Sequence, residues 1–231
     1  MRAVDRGRTG RERRRYDGCF KPFAQGLHVG RRKINDRGRY GLKTKKKKKI
    51  VFVCTGNTCR SPMAEIVFRR LINEMGLTTL KICSAGLQVA PKSKINEKSA
   101  QTLIDKGFEI GTFKPKKIDE KLLVESLAIV CMTDVQRDLL MDMRWQAMKA
   151  AGEEEIENNV YSFSELAGYE ILDPYGRDID CYHYVFELIA GGMSAIIEKL
   201  LPVGVREKYI PKKRSSSPTR KRTKKKETQE T

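Results

Sequence analysis

Residues 50–65 read Ile-Val-Phe-Val-Cys-Thr-Gly-Asn-Thr-Cys-Arg-Ser-Pro-Met-Ala-Glu. The first four are apolar and mostly β-branched, the pattern of a short buried strand. The strand runs straight into Cys54, Arg60 and Ser61 follow across a polar loop, and Pro62 stands where the first turn of a helix tolerates it. Strand, tight loop and helix N-terminus thus place a thiol at one end of a short connection and a guanidinium at the other.

Working outward, Met63, Val67, Leu71 and Met75 recur at helical spacing, and Gly76 is a natural stop. A second strand is expected over 80–83, closed by a small-residue turn at Ser84-Ala85-Gly86. A helix is expected over 96–106, capped by Asn96, with Ala100, Leu103 and Ile104 inward and Gly107 at its end. Residues 126–132 form the strongest buried-strand signal, and Thr133-Asp134 then caps a helix over about 135–143. The run Glu153-Glu154-Glu155 reads as solvated loop or helix face, 160–163 as a fourth strand, and 171–176 as a loop. A long helix follows over about 179–201, with Val185, Leu188, Ile189, Ile196 and Ile197 inward and Pro202 at its end. Strands alternating with helices predict an α/β fold: a four-stranded parallel sheet with helices on both faces and a phosphate-binding loop after the first strand.

Charge divides the 231 residues into three. Residues 1–49 carry 19 Lys and Arg against 4 Asp and Glu, and residues 206–231 carry 11 against 3. The body, 50–205, is mildly acidic, so the formal charge of +18 resides entirely in the ends. Both ends lack the apolar content needed to offset ordering entropy and are expected to be disordered, 1–49 as a basic extension and 206–231 as a basic tail. Each reads either as a solvated extension or as an arm making weak contact with nucleic acid or another anionic surface. No run of eighteen apolar residues predicts membrane insertion, and the first thirty residues hold no apolar signal core. The six cysteines are scattered rather than set at disulfide-scaffold spacing, which points to a reducing cytoplasm. His28 and His183 are too isolated for a metal cluster.

The loop carries the chemistry. Five residues between Cys54 and Arg60 are enough for successive backbone N–H groups to converge as an anion nest, reinforced by the positive end of the following helix. Such a setting favours a thiolate over a thiol. Arg60 offers a planar two-pronged donor for phosphoryl oxygens, and Ser61 can donate to the sulfur. Gly56 and Asn57 suit a loop that needs positive φ or close backbone approach. The loop amides and Arg60 supply the positive field, so neither metal nor cofactor is expected.

Cys-Thr-Gly-Asn-Thr-Cys-Arg-Ser-Pro-Met-Ala-Glu resembles the phosphate-binding loop of the low-molecular-weight protein tyrosine phosphatases. The resemblance extends from Ile50 to Leu201 and includes Ser84-Ala85-Gly86, Cys131-Met132-Thr133 and Asp173-Pro174-Tyr175-Gly176. It implies that Cys54 is the nucleophile, Arg60 the phosphate clamp and Asp173 the general acid. It further implies that Thr55, Gly56, Asn57, Thr58, Cys59 and Ser61 line the phosphate loop, that Ser84 braces it with Asn57, and that Tyr175 walls the substrate cleft. Phosphorylated proteins are the implied partners. Phe113 departs from the family, which commonly has histidine there, so the bracing network is expected to be incomplete or rearranged.

Threonine at position 58, where tyrosine-specific members carry a bulky aliphatic residue, resembles the protein arginine phosphatases of the family. The resemblance therefore leans to phosphoarginine over phosphotyrosine, with a phosphocysteine intermediate. Cys59 could form a reversible disulfide with Cys54 or simply pack beneath the loop. Two other readings stand beside this one: a thiol-dependent arsenate reductase, which needs further thiols near Cys54, and an inactive module tethered to nucleic acid by its basic ends.

Overall fold

A computed structural model describes residues 49–152 and 157–210. The expectations for residues 1–48, for the acidic run 153–155 and for the tail from 211 lie outside them. Four parallel strands, β1 (Lys49–Cys54), β2 (Lys81–Gly86), β3 (Ala128–Cys131) and β4 (Val160–Ser162), pair in the order β2-β1-β3-β4. Seven helices accompany them among the described residues: α1 (Arg60–Glu74), α2 (Glu97–Asp105), α3 (Glu120–Glu125), α4 (Asp134–Ala150), α5 (Phe163–Ala167), α6 (Ile179–Leu200) and α7 (Val203–Arg206). A 3-10 turn over Glu207–Tyr209 closes the fold.

Alternation along β1 sorts the core into two layers. Ile50, Phe52 and Cys54 face one layer with α1 and α6; Val51 and Val53 face the other with Leu122, Leu123 and Leu140 of α3 and α4. Phe52 meets Phe68 of α1 edge to face at 5.2 Å, both rings fully buried. Burying such a side chain is worth roughly 1.5–3 kcal/mol. The order β2-β1-β3-β4 makes the chain leave β1 and β3 in opposite directions across the sheet. Ligands of open parallel sheets bind at the C-terminal ends of two such strands, and Cys54 lies there.

Several local expectations need correction. Ser84, Ala85 and Gly86 continue strand β2 rather than forming a turn, because they stay paired with Phe52, Val53 and Cys54. Ile104 is 57 % exposed; the inward face of α2 is Ser99, Thr102 and Leu103. Asn96 caps α2 as expected, accepting from the N–H groups of Lys98 and Ser99. Helix α4 continues past Met143 to Ala150, since Arg144 is buried whole on the inward face, donating to the Leu123 carbonyl, before Ala147 and Met148 resume the apolar stripe. Phe163 begins α5 instead of ending β4, and Leu188 is only partly buried.

The fold also outruns residue 205. Tyr209 is buried, and its carbonyl accepts from the N–H (3.3 Å) and hydroxyl (2.8 Å) of Thr79. Residues 206–210 therefore belong to the folded body rather than to the tail. No single helix among the described residues is long and apolar enough to cross a membrane.

Candidate active site

Cys54 ends β1 buried, and the chain curls through Thr55–Cys59 into α1, which starts at Arg60. Helix α1 has no side-chain cap at its N-terminus, unlike α2, α3, α4, α5 and α6. Its first N–H groups are left to whatever anion the loop encloses. Ser61 Oγ lies 3.0 Å from Cys54 Sγ, within hydrogen-bond reach of the sulfur, and 3.4 Å from the Ala85 carbonyl.

Asn57 holds the loop from within. Its φ of +53° is a conformation that asparagine tolerates better than most residues. The side-chain NH2 donates to Ser61 Oγ (2.9 Å) and Ser84 Oγ (2.8 Å), and Oδ1 accepts from the backbone N–H of Lys116 (2.9 Å). Ser84 in turn donates to the buried carboxylate of Glu65 at 2.5 Å, which also holds Arg69. Both Asn57 donor hydrogens and its oxygen are thus used without any contribution from Phe113, which lines a groove beside the loop instead. The bracing is complete, by way of the Lys116 backbone and Glu65.

Gly56 has no positive φ, and an added Cβ would meet its nearest neighbour, Thr58 Oγ1, at an ordinary 3.4 Å. The glycine the loop depends on is Gly86. A Cβ there would come within 2.9 Å of Asn57 N and the Gly56 carbonyl carbon, and 2.7 Å of Val89 Cγ2.

The rest of the loop is tied outward. Thr55 accepts from Gln88 N–H through its carbonyl (2.8 Å) and from Gln136 Nε2 through its hydroxyl (3.2 Å). The Thr58 carbonyl accepts from Asn96 N–H at 2.9 Å. Thr58 Oγ1 and the Tyr182 hydroxyl approach Cys59 Sγ at 3.6 and 3.7 Å. Burial, then the contact with Cys59, pushes the Tyr182 phenol up. Cys54 and Cys59 are both free thiols.

Arg60 is 4 % exposed. Nη1 donates to the Ile171 carbonyl (3.1 Å) and Nη2 to Asp173 Oδ2 (2.7 Å), while Nε has no partner among the described residues. Asp173 is half exposed, and its other oxygen accepts from Tyr175 N–H at 3.2 Å, fixing the Asp-Pro-Tyr turn. Tyr175 itself is 72 % exposed at the rim. The structure therefore gathers Cys54, Ser61, Asn57 and Ser84 into one hydrogen-bonded cluster, and joins Arg60 to Asp173.

Sequence reading missed Glu65, Gln136, Tyr182 and the Ile171 carbonyl. Glu65 stood within the quoted motif, and its place one turn after Ser61 on α1 was the available signal. The others come from distant segments and left none.

Two of the other cysteines, Cys83 and Cys131, are placed against a thiol relay with Cys54, while Cys181 is buried on α6 beside Tyr182. Cys83 and Cys131 pack with the α3 and α4 layer, on the opposite side of the sheet from Cys54. Cys131 donates to the Tyr161 carbonyl (3.1 Å), and burial pushes both thiols up. His183 sits partly buried on α6, its Nε2 3.1 Å from Asp105 Oδ2. Among the described residues no group of three or more His, Cys, Asp or Glu is arranged to hold a metal ion.

Residues 49–203 match the family model of the low molecular weight phosphotyrosine protein phosphatases. The chain is 29 % identical over 136 residues to a protein-arginine-phosphatase of Bacillus subtilis, covering 58 % of this chain and 83 % of that protein. It is 32 % identical over 141 residues to the low molecular weight protein-tyrosine-phosphatase PtpB of Staphylococcus haemolyticus, covering 60 % and 90 %. Among solved structures, a YwlE arginine phosphatase with a phosphorylated active-site serine superposes with a TM-score of 0.58 at 25 % identity, covering 67 % of this chain and 97 % of that one. The four-stranded parallel sheet, the Cys-x5-Arg loop at its switch point and the match over residues 49–203 lead to one conclusion: this chain belongs to the low molecular weight phosphotyrosine protein phosphatase family.

Proposed function

We propose that this chain hydrolyses phosphoarginine in proteins through a phosphocysteine on Cys54, with phosphotyrosine as the second substrate. The observation that carries the proposal is the placing of Cys54 Sγ against Ser61 in an uncapped loop whose exit holds Arg60 paired to Asp173. The entering phosphoryl group takes up the loop N–H groups and the Arg60 fork, including the Nε donor, and so releases Asp173 toward the leaving group. Cys54 thiolate attacks phosphorus in line. The bond from phosphorus to the guanidinium nitrogen, or to the tyrosine oxygen, breaks as Asp173, which takes a proton from solvent on leaving Arg60, donates it to the departing atom.

In the second step water attacks the phosphocysteine, giving its proton to the Asp173 carboxylate. The thiolate departs, stabilised by the Ser61 hydroxyl and the loop amides, and inorganic phosphate remains. Thr58 supports the phosphoarginine preference. Its hydroxyl leaves room above the loop for a flat guanidinium and offers a hydrogen bond to the attacking water, where a branched alkyl group would fill the space. The relatives named as arginine phosphatases agree with this choice, and those named as tyrosine phosphatases keep the second substrate in view.

The experiment compares matched phosphoarginine and phosphotyrosine peptides with wild-type protein, Cys54→Ser and Thr58→Ile. Cys54→Ser is expected to lose turnover of both. Thr58→Ile is expected to move the kcat/KM ratio toward phosphotyrosine by about tenfold or more, the discrimination a pocket methyl group commonly gives. Retained phosphoarginine preference in Thr58→Ile would overturn the substrate assignment, and turnover by Cys54→Ser would overturn the nucleophile.

A further inference from the structure

A groove of about 530 Å³ lies beside the phosphate loop, between the segments 90–95 and 110–115. Each wall is anchored to the loop by the residue that follows it: Asn96 N–H to the Thr58 carbonyl, and Lys116 N–H to Asn57 Oδ1. The groove is therefore held in register with the reacting centre. Its floor is apolar, with Ile95, Ile110 and Phe113, and its rim carries Lys92, Lys94 and Lys114. No carboxylate lines it, and none of the three lysines has an ion-pair partner among the described residues. Against a folded body whose sequence is net acidic over 50–205, this is a local reversal of charge.

Lys92 adds an independent sign. Its φ of +59° is a left-handed conformation that glycine or asparagine adopts more cheaply. A lysine there keeps its charge at the groove rim in spite of its backbone. Strain retained beside a site points to use.

We propose that this groove docks the segment flanking the phosphorylated residue of the substrate, and that it selects acidic flanks carrying an apolar side chain. The lysine rim pairs with the carboxylates, and the floor around Phe113 takes the apolar group. A nucleic acid would need successive stacking platforms, whereas the groove offers one aromatic ring. The inference rests on the phosphatase reading and gives the same site a preference among protein substrates.

The test uses the full chain and three substrates with the same phosphorylated residue: the free phosphoamino acid, a peptide with Asp and Leu in the flanks, and a peptide with Ser in their place. The acidic peptide is expected to show kcat/KM about tenfold above the serine peptide. The advantage should shrink as salt is raised and disappear in Lys92→Gly/Lys94→Ser/Lys114→Ser. Turnover of the free phosphoamino acid should stay level across the two proteins. Lys92→Gly alone is expected to hold or raise the melting temperature, which separates lost docking from lost folding.

Equal kcat/KM for the two peptides, or a preference that survives removal of the lysines, would overturn the docking proposal. Binding of the unphosphorylated acidic peptide, read by fluorescence anisotropy on Cys54→Ser, reports on the groove independently of turnover. Lysine-dependent binding in a protein that hydrolyses none of the substrates would sink the phosphatase reading and keep the groove. Turnover without such binding would do the reverse.

Discussion

Two neighbouring strands of the sheet end in a buried cysteine and turn into a helix, and the two connections treat the thiol in opposite ways. Val53 pairs with Cys131, so Cys54 lies one residue further along than its counterpart. From Cys131 the chain spends only Met132 and Thr133 before α4 begins, and Thr133 caps that helix with its own hydroxyl. The thiol faces the α3 and α4 layer, donates to the Tyr161 carbonyl and is held protonated, by burial first and by the nearby Glu165 second. From Cys54 the chain spends five residues, leaves α1 uncapped and sets a serine hydroxyl against the sulfur. On the proposed reading, what makes Cys54 the reactive cysteine is the length of the connection and which N–H groups stay uncommitted, since burial is common to both.

The comparison breaks most visibly at the two sulfurs. Cys54→Ser is expected to lower kcat by at least about a thousandfold, because an alkoxide is far harder to generate than a thiolate. Cys131→Ala should leave kcat unchanged in the same assay. Next in size, Asp173→Asn should lower kcat by about 10²- to 10⁴-fold, the range for loss of a general acid, and flatten the limb of the pH profile that the acid controls.

Gly86→Ala tests the backbone approach on the Cys54 side. Its Cβ would press on the Asn57 and Gly56 backbones, so a stability loss of about 1–3 kcal/mol is expected in a denaturant titration, together with reduced kcat. Smaller still, Gln136→Leu cuts a side-chain tie from α4 to the Thr55 hydroxyl and also removes the acceptor of the Met132 N–H. It should cost about 1–2 kcal/mol, the ordinary worth of two such hydrogen bonds. A larger loss of kcat than of stability would show that α4 helps set the loop.

Much of this was legible in the sequence where the signal was local. The β1–loop–α1 stretch, the capped start of α2, the apolar run ending at Cys131 and the long stripe of α6 all declare themselves through period and capping. Helix α3 escaped because six residues are too few for a period, although Asp119 caps it through Leu122 N–H. Helix α5 escaped for the same reason, even though Ser162 and Glu165 form a capping box. Ile104 misled because side-chain character alone does not say which stripe of α2 turns inward; Ser99 and Thr102 are buried in its place.

At the site, residues 54–61 were readable because one contiguous loop holds the thiol and the guanidinium. Gln136 and Tyr182 reach it from 81 and 123 residues away in sequence. Gly86 matters through packing against the loop backbone, which composition cannot reveal.

The ion pair between Arg60 and Asp173 has a consequence for the end of the catalytic cycle. On the proposed mechanism, once Asp173 has passed the proton taken from water to solvent, inorganic phosphate and the Asp173 carboxylate compete for the same guanidinium hydrogens, so the enzyme carries an internal rival for its own product. Each return of Asp173 to Arg60 helps expel phosphate, at the cost of weaker initial capture. Removing the carboxylate should therefore make phosphate a tighter competitive inhibitor even as it slows the chemistry. An inhibition constant for phosphate that does not fall in Asp173→Asn would show that the two oxyanions never share the clamp.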